Sequence, residues 1–142
     1  MHQLVSSKQD MFYRYVTLKN LETGTEDYCF DQSDFPADSQ PGFYFMKQGG
    51  VYNCKILLFG DTDIKEGFPV ADCRVLDPNV KMGNCRFVKV AVGEDIYYVY
   101  YKEVRDVVNN GRFRFLWTRK DLIQVNDVLL SDYYVYDFWE QD

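Results

Sequence analysis

The chain has a single histidine, His2, and four cysteines at positions 29, 54, 73 and 85, with no C-x-x-C pair among them. That removes the usual spacings of a zinc ribbon or a dithiol redox site. A Ser-His or Cys-His couple would have to rely on His2, beside the N-terminus. There is no G-x-S-x-G elbow and no Gly-rich phosphate loop. Asp61 and Asp63 form a D-x-D pair, but Glu66-Gly67 ends the acidic run before a calcium-loop pattern is completed, so a solvated turn is expected there. No catalytic residue, metal ligand or cofactor site is therefore expected.

Long apolar runs are also missing. The longest clean one covers residues 56–59, far short of the roughly 20 a membrane helix needs. Residues 1–10 carry no positive cluster followed by an apolar segment, so no leader is read there. The expected compartment is the cytoplasm, with all four thiols reduced and Cys54 a small buried side chain. Four prolines and nine glycines are ordinary numbers and exclude collagen-like or linker-like chains.

What the chain has in excess is aromatic side chains, 18% of the total, with 12 Tyr and 11 Phe. Such residues favour pleated, half-buried surfaces. With 142 residues and 46% hydrophobic content, one β-rich domain spanning 1–142 is expected. Its organising stretch is residues 49–61, GGVYNCKILLFGD. There Tyr52, Cys54, Ile56 and Leu58 alternate with Asn53, Lys55 and Leu57 between glycine punctuation. Residues 1–10 are polar and expected to fray. Residues 12–21 and 27–31 read as a hairpin across the Glu22-Thr23-Gly24-Thr25 turn, and residues 32–42 as a loop.

Residues 62–83 show no clean helical period and are expected to hold one short strand or a covering loop. Residues 85–92 and 96–101 read as a second hairpin. Val104, Val107 and Val108 suggest one or two helical turns ended by Gly111. Residues 112–117 alternate again, putting Phe113, Phe115 and Trp117 on one face. Thr118 with Asp121 resembles a capping box, and Leu122, Val125 and Leu129 predict a helix after it. Residues 133–139 are aromatic enough to pack back as a final strand.

This order of a three-strand meander, a connection and a further hairpin resembles the five-stranded OB-fold barrel over about two-thirds of the chain. The resemblance is one of topology, with no residue motif behind it. It implies a mainly β molecule, or α+β with short helices, built as a single small barrel or sandwich.

Charge gives the functional reading. The net charge is −6. Residues 81–120 hold nine Lys/Arg against four Asp/Glu, whereas residues 121–142 hold six acids and no base. Glu22, Glu26, Asp27, Asp31, Asp34 and Asp38 line the first hairpin and its loop as an acidic rim, with Phe35 as an apolar anchor. Such a rim suits a non-enzymatic protein-binding module, an acidic inhibitor or immunity-type protein that masks a basic partner. The alternative is an OB-like binder of single-stranded nucleic acid through Arg112, Arg114, Trp117, Arg119 and Lys120. The alternation weighs against it, because Arg112 and Arg114 lie opposite Phe113 and Phe115. Overall acidity adds repulsion towards a polyanion.

Overall fold

The computed structural model describes residues 1–11, 13–33, 42–130 and 133. The chain forms β1 (His2–Gln9), β2 (Arg14–Asn20), β3 (Glu26–Asp31), β4 (Val51–Tyr52), β5 (Cys54–Asp61), β6 (Val70–Met82), β7 (Cys85–Val92) and β8 (Asp95–Tyr100). A short helix α1 (Tyr101–Val104) and a 3-10 turn (Val108–Asn110) then lead into β9 (Arg112–Val125) and β10 (Val128–Leu129). The strands neighbour one another in the order β4-β1-β2-β3-β9-β5-β8-β7-β6, and β6 pairs with β9 again. That second pairing closes β9-β5-β8-β7-β6 into a five-stranded barrel. β3, β2, β1 and β4 continue outward from it as an extension.

The ring is OB-like by topology. Its meander is β6-β7-β8, its helical connection follows β8, and β9 returns to β6. β5 fills the remaining place, antiparallel to β9 and parallel to β8 at Leu57↔Tyr98. Chain order pointed instead to a meander beginning with the first hairpin. That hairpin forms, with Tyr15↔Phe30 and Thr17↔Tyr28 in register, but it lies outside the ring.

Alternation explains the barrel interior. Ile56, Leu58, Val88, Val90, Val99, Phe115 and Leu122 are all at most 1% exposed. Each such side chain contributes about 1.5–3 kcal/mol by leaving water. The outer face is covered locally too. Leu57, Tyr98, Tyr100 and Phe87 are buried, with Tyr133 packed edge-on to Phe87 at 5.2 Å and its hydroxyl 2.8 Å from that of Tyr100. Tyr133 thus packs back as expected, although on a helical turn. Residues 134–139 of the expected final strand lie outside the described residues.

Three segments differ from the sequence reading. Residues 2–9 are a strand, not a frayed end. β1 pairs with β2 at seven positions, and only Leu4 needs core contact to anchor it. The unreadable stretch after β5 holds the 13-residue β6, whose pairing with β7 shifts register twice around Asp77 and so blurs its alternation. No helix follows Thr118. β9 runs on to Val125 and turns into β10 at Asn126, whose φ of 53° asparagine tolerates. Leu122, Ile123 and Val125 are all buried, so this strand is covered on both faces and shows no clean period of two. The turns before β9 match expectation, with Gly111 left-handed at φ 80° behind the 3-10 turn.

Candidate binding surface

The alternation in β2 and β3 decides which side chains face out. Tyr15, Tyr28 and Phe30 lie on the outer face, and Asp27, Cys29 and Asp31 on the inner one. Tyr28 is 56% exposed and stacks on Tyr15 with centroids 4.8 Å apart and planes 5° from parallel. Phe30 packs against Tyr15 at 5.4 Å and Tyr13 at 5.1 Å. β3 meets β9 in register only at Phe30↔Asp121. Where the two strands part, a groove of about 500 Å³ opens, lined by Tyr15, Glu26, Tyr28, Trp117, Thr118, Arg119 and Lys120.

The cations of this groove already have partners. The Arg119 guanidinium sits between Phe30 and Phe59, at 4.7 and 4.6 Å from their centroids, and donates to both oxygens of Asp121 at 2.5 and 3.0 Å. Burial pushes the Asp121 carboxyl above its ordinary range, partly offset by Arg119. The bond to Asp121 in turn raises Arg119, against the opposing effect of burial. Lys120 donates to Asp27 at 2.5 Å and lies 4.6 Å from the Trp117 ring and 5.1 Å from the Tyr97 ring. Tyr97 also donates its hydroxyl to Asp27, and burial followed by that carboxylate pushes the phenol well up.

The acids expected on one rim are therefore dispersed. Glu26 is exposed at the lip of the groove, and Glu22 is exposed 3.6 Å from the Met1 amine. Asp27 is only 3% exposed and Asp31 0%. Asp31 accepts from Arg14 at 2.7 Å and from the Ser33 N–H at 2.8 Å, while Arg14 also donates to the Phe43 carbonyl at 2.8 Å. These two carboxylates face inward and do not join Glu26 on an outward negative patch. Asp34, Phe35 and Asp38 lie outside the described residues.

The basic strip is divided as well. Arg112 and Arg114 are exposed, opposite the buried Phe113 and Phe115, and Arg114 reaches Asp72 at 3.8 Å. Trp117, Arg119 and Lys120 belong to the groove, some way along β9 from those arginines. Tyr13, Tyr15 and Phe59 complete the aromatic face, and sequence reasoning passed them over. The period of two in RYVTLKN could have flagged Tyr15, but nothing local links it to Tyr28 or β9.

The groove thus offers flat ring surfaces, one free carboxylate and two neutralised cations. That composition suits stacking and apolar anchoring. Among the described residues, no group of three or more His, Cys, Asp or Glu could hold a metal ion. None of their helices is long and apolar enough to cross a membrane. The molecule belongs to the class of small closed β barrels. No protein-family model matches the chain, and neither a curated protein nor a solved structure matches it.

Proposed function

We propose that the protein is a non-enzymatic protein-binding module, of the inhibitor or immunity type, that receives a basic partner in the aromatic groove between β3 and β9. The observation that carries this reading is the exposed Tyr28, stacked on Tyr15 beside cations already spent on internal carboxylates. Large rings presented at low entropic cost are what interface anchors require. The net charge of −6 steers a basic protein inward, and Glu26 at the lip supplies a close contact for Lys or Arg. Four buried cysteines that form no disulfide suit a reducing cytoplasm.

The test is capture from a native lysate with wild-type, Tyr28→Ala and Glu26→Lys baits, followed by titration of the purified partner. One basic protein held by the wild type, weakened by both substitutions and by salt, is the expected result. Unchanged affinity in Tyr28→Ala overturns the reading.

A second reading rests on Trp117, Arg119 and Lys120 sharing the groove with Tyr15 and Tyr28. Bases could stack on these rings, as in single-strand binders. It is weaker because each cation faces a carboxylate and few charges remain for phosphates. Salt-sensitive anisotropy of a labelled oligothymidine, lost in Trp117→Ala, would establish it instead.

A further inference from the structure

On another part of the molecule, the β1–β4 extension meets the barrel around a cavity of about 250 Å³. Lys55 of β5 and Lys89 of β7 share its wall with His2, Thr23, Asn53 and Tyr98. Tyr98 of β8 stands between the two lysine-bearing strands, in register with Lys89 on one side and Leu57 on the other. The half-buried Lys55 ammonium lies 3.7 Å from the Met82 sulfur and 5.6 Å from the Tyr98 ring centroid. A thioether is a weak acceptor and a ring face carries no net charge, so its three N–H donors lack a strong partner. Burial first, and then the like charge of Lys89, draw the Lys55 pKa below its ordinary value.

The surrounding carboxylates do not repair this. Glu22 faces the Met1 amine at 3.6 Å. Asp95 accepts the hydroxyls of Thr23 and Thr25 at 2.6 and 2.7 Å. Asp77 is the cross-strand neighbour of Lys89, but the two form no ion pair within 4.0 Å. Glu94 is exposed on the turn at the mouth. Burial holds His2 below its ordinary pKa, so at neutral pH the imidazole adds no charge.

We infer that this cavity binds a compact oxyanion of the phosphate class between the ammonium groups of Lys55 and Lys89. An anion there turns a like-charge repulsion into two charge-assisted hydrogen bonds. The volume sets the size class. It falls below the roughly 300–1,000 Å³ of pockets for drug-sized ligands, which favours inorganic phosphate or a small phosphomonoester over a nucleotide. The site is separate from the aromatic groove and stands whether or not that groove binds protein.

The experiment titrates inorganic phosphate into the full chain at constant ionic strength, following lysine Nζ signals by NMR and thermal unfolding in parallel. Saturable shifts at Lys55 and Lys89, no shift at the exposed Lys65, and a rise in Tm are expected. Lys55→Gln and Lys89→Gln should each weaken binding about tenfold. Lys55→Met, which keeps the apolar stem against Met82 and Tyr98, guards against a folding defect, and the wild-type spectra need no variant. A parallel titration with glycerol phosphate separates the two sources. Tighter binding of the ester assigns an organic phosphate, and equal binding assigns the free anion. Uniform shifts at all lysines, shifts reproduced by chloride, or undiminished affinity in the variants would overturn the proposal.

Discussion

Lys120 and Asp27 stand 93 residues apart in the chain, yet their charged atoms meet at 2.5 Å at the join between the outer sheet and the barrel. Their side chains are only 16% and 3% exposed. Removing one partner of such a pair strands the other charge out of water. Asp27→Ala should therefore cost about 3–5 kcal/mol in urea unfolding. The double change Asp27→Asn with Lys120→Met should recover most of that loss, because an amide still accepts the Tyr97 hydroxyl. Equal losses in the single and double variants would show that packing, not charge, dominates this position.

Gly60 lies where the β5–β9 register shifts, and a Cβ there would sit 1.9 Å from the Leu116 carbonyl oxygen. That oxygen is backbone within a barrel seam and cannot swing aside. Gly60→Ala should cost roughly 3 kcal/mol or more. Gly24, at φ +80° with open space around it, should lose only about 1–2 kcal/mol on the same change. Thermal melts of the two variants side by side provide the check.

Burial pushes the Cys54 and Cys73 thiols from 9.0 up to about 12, and the Tyr100 hydroxyl from 10.0 up to about 12. The unfolded chain releases these protons first as pH rises, so their contribution is intact below pH 9.0 and falls away between there and about 12. Each thiol should remove up to about 1.4 kcal/mol per pH unit in that window. Urea titrations on either side of its lower edge test this, and Cys54→Ala should flatten the slope. The same burial should leave all four thiols unreactive towards a soluble disulfide reagent until the protein is unfolded.

Tyr28 carries the proposed contact surface but little of the fold. Its stack on Tyr15 is worth about 0.5–1.5 kcal/mol, so Tyr28→Ala should shift stability by no more than about that amount. Loss of partner binding with near-normal unfolding separates the two roles. A collapse in Tm would make Tyr28 structural instead.

The hairpins and the buried Phe113 and Phe115 could be read from sequence because a clear period of two and glycine turns mark them. DYCFD alternates just as clearly, yet alternation does not say which face is inward. Asp27 and Asp31 turn in because Lys120 and Arg14 are there to receive them, and Lys120 is 93 residues away. Leu122, Val125 and Leu129 fit helical spacing only because β9 is covered on both faces at that point. β1 was hidden for the opposite reason. Its pairing is made by the backbone, and SSKQ has no apolar side chain to announce it. The groove joins β3 to β9, and the cavity joins β1, β5, β7 and β8, so neither leaves a local signature.

β9 supplies two of the five seams of the ring, towards β5 and β6, and is also the strand on which β3 docks. Taken without β9, the order β5-β8-β7-β6 is an open sheet whose edges are β5 and β6. Unpaired edges of that kind are templates for another chain, and the outer sheet, which joins the ring through β3 and β9, would have no strand to dock on. A chain cut before residue 112 lacks β9 and should therefore fail to close the ring and aggregate, which light scattering of that fragment checks.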